Sequence, residues 1–399
     1  MSASPPRNAI GLWPILLRVV PYFVVAWGTI AVLAAGLFPG ALAAAIAVAA
    51  YVTVPLIVFV RRRGWPFYPG AAFRLLVVRP FWYAQLILPL VAAGGILGML
   101  AGFPFGHALQ IGRIVASAVF ATIGAVLVLG YAGSRRLVVR HVDVDVVGLD
   151  PSFDGLRIAQ LSDLHVGPHT PRRFLERVVS ATHALAADLV AVTGDLVDDR
   201  AEDVLVYARR LGTLDAPLGV YMIPGNHDVY AGWDDVERAL RIAGLGTVLV
   251  NEAKLLHRGS ATIALVGTGD PAAGWRGTSR AAPDIDRALA HVPDTATVIA
   301  FAHNPSLWPS LAARGVALTL SGHTHWGQLA LPALGWSLAS PFLEHAMGAH
   351  MKDDAMLYIN PGTGYWGIPF RLGASAEITL VTLHRGETAA ARVHPPRAA

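Results

Sequence analysis

The sequence predicts an all-α membrane region of four spans followed by an α/β domain of layered sheets and helices. Three observations lead there. Mean hydropathy is +0.50 and 54% of residues are hydrophobic, too apolar for a purely soluble chain. The first acidic residue is Asp143, whereas residues 1–136 carry ten arginines. From residue 137 onward, short apolar strands alternate with amphipathic helical stretches.

At 399 residues the chain has room for two or three domains. It has 0 Cys, which excludes disulfides, thiolate metal sites and cysteine nucleophiles. The formal charge of +4 and pI near 9.5 come from the arginines of residues 1–136. All 27 acidic residues lie from Asp143 on, so the C-terminal part is acidic and no nucleic-acid partner is expected.

Residues 19–38 form an uncharged apolar run, long enough at about 1.5 Å per residue to cross a ~30 Å hydrocarbon core. Phe38-Pro39-Gly40 breaks it, and a second run, 41–60, ends at Arg61-Arg62-Arg63. A cleaved leader is disfavoured because a second full span follows at once. Trp65, Tyr68, Trp82 and Tyr83 fall where interfacial aromatics belong, before a third span at 81–101. After Phe103-Pro104-Phe105-Gly106 a fourth runs over 114–131 and closes at Arg135 and Arg136. The arginines outside the spans then fall on one side, which places both ends and the C-terminal domain in the cytoplasm. No acid or lysine interrupts the spans, so they read as an anchor rather than an ion or proton pathway.

Residues 139–146 alternate apolar and polar side chains, as an antiparallel or edge strand does. Strands follow at 158–161, 189–192, 220–223, 247–250, 263–266, 298–302, 317–320, 356–359 and 377–383. Helices are expected at 172–187, 202–211, 233–242, 285–290 and 307–313. The domains are thus 1–136, an anchor, 137–385, the α/β domain, and 386–399, an Ala/Pro-rich tail expected to be disordered.

Five segments place polar residues just after a strand: Asp163-Leu-His165, Gly194-Asp195-Leu-Val-Asp198, Gly225-Asn226-His227-Asp228, Ala302-His303-Asn304-Pro305 and Gly322-His323-Thr324-His325. Ligands collect at the carboxyl ends of strands in open α/β sheets. On an extended segment Asp163 and His165 point to one side. Imidazole with carboxylate and no thiolate suits manganese, with iron or zinc as alternatives, rather than calcium. Taken singly, each cluster could be a turn or a helix cap. Their joint appearance in this order points to one metal site.

The series D-x-H, GD-x-x-D, GNH-D, H and GH-x-H resembles that of the calcineurin-like metallophosphoesterase superfamily, over roughly residues 137–385. The resemblance implies a β-sandwich flanked by helices and two divalent metal ions. Carried over, one metal would take Asp163, His165, Asp195 and His325, and the other Asp195, Asn226, His303 and His323, with Asp195 bridging. His227 resembles the catalytic histidine. Asp198 and Asp228 would orient ligands or His227, or equally cap the helices that follow. Two close cations clamp phosphoryl oxygens and acidify a shared water that attacks phosphorus.

The late segment Asn360-Pro-Gly-Thr-Gly364, Gly367-Ile-Pro-Phe-Arg371-Leu-Gly373 and Glu377-Ile-Thr-Leu-Val resembles the membrane-associated bacterial branch, which includes small phosphodiesterases and a UDP-2,3-diacylglucosamine pyrophosphatase. That implies a multi-pass protein of the bacterial inner membrane acting on a lipid-linked or nucleotide phosphoester, with the bilayer as its partner. Residues 326–354, directly after the last ligand, are expected to be a lid, an acyl-chain groove or an ordinary packed insertion. The expected function is hydrolysis of a lipid-linked phosphodiester or pyrophosphate. The alternatives are a tethered enzyme for soluble substrates, and a membrane sensor or scaffold with an inactive domain.

Overall fold

The computed structural model describes residues 27–28, 30–38, 40, 42–44, 46–48, 50–51, 76–77, 79–167, 170–276 and 279–399. The chain divides into two compact units, Met1–Leu127 and Val128–Ala399.

Helix α1 spans Arg79–Gly102 and helix α2 spans Ala108–Gly133. Both are long and apolar enough to cross a membrane, with a mean hydropathy of 2.2. A 3₁₀ turn, Phe103–Phe105, and Gly106 in the left-handed region (φ 72°) separate them. Helix α2 begins six residues before the expected 114, because Arg113 is carried inside it, its guanidinium donating to the Leu37 carbonyl. Among the described residues, two helices, matching the third and fourth expected spans, are candidates to cross a membrane. Of the spans expected at 19–38 and 41–60, residues 19–26, 29, 41, 45, 49 and 52–60 lie outside the described residues. The described residues within 27–37 and 42–51 are helical.

The second unit holds two mixed sheets. The first comprises β1 (Leu137–Val147), β2 (Arg157–Leu161), β3 (Leu189–Val192), β4 (Val220–Met222) and β5 (Thr247–Val248), with β14 (Ala376–Gly386), β15 (Ala390–Val393) and β16 (Arg397–Ala398) from the end of the chain. Its order is β15-β1-β14-β2-β3-β4-β5, with β16 also on β1. The second comprises β6 (Glu252–Arg258), β7 (Ala261–Gly267), β8 (Thr297–Phe301), β9 (Leu318–Ser321), β12 (Gly348–Lys352) and β13 (Ala355–Ile359), in the order β12-β13-β9-β8-β7-β6. A small hairpin, β10 (Ala330–Leu331) with β11 (Trp336–Ser337), stands apart.

Two expectations are corrected here. The tail 386–399 is not disordered: β15 and β16 pair antiparallel with β1. Strand β1 is consequently not an edge, since β14 pairs parallel with its other side. An Ala/Pro-rich composition signals weak intrinsic preference, and the unpaired N–H and C=O groups of β1 supply the order that preference lacks.

The sheets face each other through one apolar core. Val142, Ile158, Leu189, Tyr221 and Val381 from the first meet Ile263, Ile299, Phe301, Leu320 and Tyr358 from the second. Helices cover the outer faces. Helix α3 (Arg172–Ala184) buries Leu175, Val178, Val179 and Thr182, the stripe of an amphipathic helix. Helix α4 (Glu202–Leu211) buries Val204, Tyr207 and Leu211. Strands β2, β3 and β4 are mutually parallel, as are β7, β8, β9 and β13. Their carboxyl ends carry the five polar clusters.

Candidate metal centre

Asp163 and His165 follow β2, and Asp195 and Asp198 follow β3. Asn226, His227 and Asp228 form the first turn of helix α5 (Asn226–Ala243), which begins seven residues before the helix expected at 233–242. His303 follows β8, and His323 and His325 follow β9.

The seven expected metal-binding residues come together. His165 Nε2 and His325 Nε2 are 3.0 Å apart, and Asp163 Oδ1 lies 3.3 Å from the latter. Asp195 Oδ2 is 3.7 Å from His165 Nε2 and 3.2 Å from His303 Nε2. Asn226 Oδ1 is 3.2 Å from His303 Nε2 and 2.6 Å from His323 Nδ1. Six of the seven are buried, and His323 is half-buried. Asp163, His165 and His325 form one set able to hold a cation, and Asp163, Asp195 and His303 another.

The donor chemistry fits a cation pair. His303 Nδ1 lies 2.8 Å from the Thr193 carbonyl, which can only accept, so Nδ1 carries a proton and, in the neutral ring, Nε2 presents the lone pair to a cation. Two imidazole nitrogens 3.0 Å apart beside carboxylates are an electron-rich cradle that a positive charge completes. Asp163 belongs to both sets, and Asp195 Oδ2 lies within 3.7 Å of a ring nitrogen from each.

Local backbone explains the convergence. Asp163 and His165 do not share a side through strand pleating, as i and i+2 on a strand would. Both sit in the left-handed region, at φ 51° and 44°, and Leu164 between them enters the core. Asp195, His323 and His325 are left-handed too, at φ 51°, 70° and 49°. Non-glycine residues rarely adopt this region, and five of the seven doing so is the strain expected of a functional site. Gly194 (φ 89°) leads into Asp195, and a Cβ there would come within 2.6 Å of His303 Nδ1. A Cβ at Gly225 would collide with the Asp195 carboxylate.

Electrostatics divide the groups. Burial opposes the charge on Asp195, but His303, then His165 and His227, outweigh it and hold the carboxyl well below its usual range. Burial also works against charging His303, yet Asp195 and then Asp163 raise it well above the ordinary histidine value. His323 is pushed down to about 4 by burial and then by His303. Burial, then His165 and Arg371, lowers His325 well below 6.5.

Of the expected catalytic residues, His227 stands at the rim. Its backbone N–H donates to Asp195 Oδ1 (2.8 Å) and its Nδ1 donates to the Asp198 carbonyl (2.7 Å), so Nε2 has the lone pair. Asp198 Oδ1 is 3.4 Å from His165 Nδ1 and 3.8 Å from His227 Nδ1, placed to orient both rings. Asp228 is different. Its carboxylate accepts N–H groups of Leu196 (3.2 Å), Val197 (3.0 Å) and Gly225 (2.9 Å), which caps α5 and fastens the loop after β3. Of the two roles expected for Asp228, the structure shows the cap.

Sequence reasoning assigned no role to four further residues. Ser162 donates to Asp163 Oδ2 (2.6 Å), and Thr193 supplies the carbonyl behind His303. Asp270, after β7, is buried, with its carboxyl pushed up to about 6 by that burial. Arg371 is fully buried without a carboxylate partner among the described ion pairs. Its guanidinium donates to the carbonyls of Pro361 (2.7 Å), Gly364 (2.8 Å) and Ala374 (3.0 Å) and reaches His325 Nδ1 at 3.2 Å. Burial lowers it to about 10. The one signal in the sequence is a lone arginine in a Gly/Pro-rich segment, and its burial is visible only in the structure.

Residues 156–327 match the sequence profile of the calcineurin-like phosphoesterase family. The chain is 34% identical over 251 residues to a zebrafish (Danio rerio) protein described as a transmembrane protein with metallophosphoesterase domain, covering 61% of this chain and 56% of that protein. It is 35% identical over 254 residues to an uncharacterized metallophosphoesterase of Helicobacter pylori, covering 63% and 65%. The metallophosphoesterase YkuE of Bacillus subtilis is 31% identical over 235 residues, covering 58% and 80%. The chain thus spans 56% and 65% of the length of the first two curated relatives.

Proposed function

We propose that this chain, which belongs to the calcineurin-like phosphoesterase family, is a membrane-bound hydrolase of a phosphodiester or pyrophosphate, working with two divalent cations, manganese first among them. The observation that carries the reading is the position of Asp195 Oδ2, between His165 Nε2 at 3.7 Å and His303 Nε2 at 3.2 Å.

Asp163, His165, Asp195 and His325 would hold one cation, and Asp195, Asn226, His303 and His323 the other. When bound, such a pair clamps phosphoryl oxygens and acidifies a water. The protein's own groups do the rest. His227 is held by Asp198 and by the Asp195 carboxylate, and its Nε2, once it has taken up a proton, is placed to pass that proton to the leaving oxygen. Asp198 keeps the His165 and His227 rings aimed. The Trp366 and Tyr230 rings, 5.9 and 5.6 Å from His227, flank the rim.

The substrate we propose is lipid-linked, since two apolar helices precede the domain and a similar protein is described as transmembrane. The membrane we propose is the bacterial inner membrane, and the arginine distribution supports a cytoplasmic side for the domain. A metal-reconstituted screen of the purified full chain tests this, comparing UDP-diacylglucosamine, other lipid pyrophosphates, cyclic nucleotides and an aryl phosphodiester. A kcat/KM for a lipid pyrophosphate well above the soluble diesters is expected. Equal turnover of both classes removes the lipid reading and leaves a tethered enzyme for soluble substrates.

A further inference from the structure

Large exposed apolar side chains are scattered singly or in pairs over most of the second unit, as at Val147, Leu205–Val206 and Ile242. One stretch differs. Leu331, Leu334, Trp336, Leu338, Phe342 and Leu343 are all exposed within thirteen residues, Leu334 at 76% and Phe342 at 81%. From Trp326 to Leu343 there is no charged side chain. Leu331 and Trp336 pair across the β10–β11 hairpin, and the Leu338 N–H closes its base on the Leu329 carbonyl (2.8 Å).

This excursion is fastened at two points. Leu372 bridges to it: the Leu372 N–H donates to Gln328 O and the Ala330 N–H to Leu372 O, both at 2.9 Å. The preceding residue, Arg371, donates its N–H to Gly130 O (2.8 Å), in the last turn of α2 and inside the same compact unit. Consecutive Cα atoms are about 3.8 Å apart, so the apolar excursion and the end of a candidate span are anchored side by side. Tyr131, with the Arg135 guanidinium 4.6 Å over its ring, has the character of a headgroup-level residue. On the other side, Gln328 exchanges two hydrogen bonds with the Trp366 backbone (3.0 and 3.1 Å), and the Trp366 ring lies beside His227.

We infer that residues 331–343 are a membrane-docking element that seats in the headgroup layer of the bilayer receiving α2. Six large apolar side chains exposed together on an uncharged stretch invite association, and the anchoring beside Gly130 names the bilayer as what covers them. With no basic residue in the excursion, apolar burial rather than anionic-lipid attraction drives the contact. Lipid-borne phosphoester reaches the site past Trp366. The inference rests on the membrane reading of α2 and not on which phosphoester is cleaved.

The chain has no cysteine, so single introduced thiols label one site each. The full chain is reconstituted in phosphatidylcholine nanodiscs with an environment-sensitive fluorophore at Leu334→Cys or Phe342→Cys. Phe120→Cys, exposed on α2, serves as the membrane reference, and Lys254→Cys, on the far edge strand β6, as the aqueous one. Expected is a blue-shifted emission at 334 and 342 that lipid-borne doxyl groups quench as strongly as at Phe120→Cys, unchanged by salt. Quenching at 120 with both loop labels behaving like 254 overturns the docking inference alone. A blue shift without lipid quenching overturns it in favour of a protein cover. Loss of quenching at 120 overturns the membrane reading itself. Both loop positions are exposed and lie outside the core, and agreement between two independent labels guards against a misfolded variant.

Discussion

The two halves of the candidate centre use the same residue types and are secured differently. Around Asn226, His303 and His323 the backbone does the holding: the Thr193 carbonyl sets the His303 tautomer, and the Asn226 oxygen faces two rings from a helix N-terminus. Around Asp163, His165 and His325 side chains do it. Ser162 bonds Asp163, Asp198 stands beside His165, and the buried Arg371 backs His325 while tying together three carbonyls of the loop beyond β13. The side-chain-held half can be disabled from behind through an arginine that touches no cation, and the backbone-held half by a Cβ added at Gly194.

The largest effect should come from the group both halves share. Asp195→Asn is expected to lower kcat/KM by about 10³-fold, with metal analysis of the purified chain falling below one ion per chain. Full occupancy in that variant would break the equivalence of the halves. His227→Gln should lower kcat by roughly 10²–10³-fold with both ions retained, and the loss should shrink for substrates whose leaving group needs no proton.

Arg371→Lys separates the halves. Lysine cannot span three carbonyls, and the buried groups left unpaired should cost about 2–4 kcal/mol, read from a denaturant melt. On dialysis it should release one ion per chain and keep the other. Equal release of both would mean that Arg371 supports the whole centre.

The smallest effect should lie outside both halves. Burial pushes the Asp203 carboxyl up to about 6, and Oδ2 has no hydrogen-bond partner. A raised folded-state value means that stability is fully present below the ordinary carboxylate range and lost as pH rises through about 6. Asp203→Asn should therefore stabilise the chain at pH 8, on the order of 1–3 kcal/mol, and leave it unchanged at pH 4. Melting temperatures at the two pH values read this directly, and unchanged metal content would show that the centre is untouched.

Much of this was legible because motif and strand end coincide. Apolar runs marked β2, β3, β8 and β9, and glycine before Asp195, Asn226 and His323 marked the close approaches. Other features were hidden for definite reasons. Strand β6, Glu-Ala-Lys-Leu-Leu-His-Arg, is a sheet edge with polar side chains and reads as a loop. The C-terminal strands have poor strand composition and owe their order to β1. Asp228 could be a catalytic or a capping residue until its three N–H donors were seen. Arg371 sits 46 residues from His325 in a segment with no regular pattern, so nothing local joins them.

By itself the sequence determined which donors are available, that no thiolate is among them, that each follows a strand, and that an apolar region precedes the domain. These are matters of residue type and short-range spacing, which act within a few positions. Only the tertiary structure decided that Asp163 and His325, 162 residues apart in the chain and on different sheets, face one point. It alone decided that ligand residues take left-handed turns rather than strand pleats, that a buried guanidinium backs one half, and that an uncharged excursion is moored beside Gly130. These depend on two sheets closing over a common core, and that closure is a property of the packed chain rather than of any segment of it.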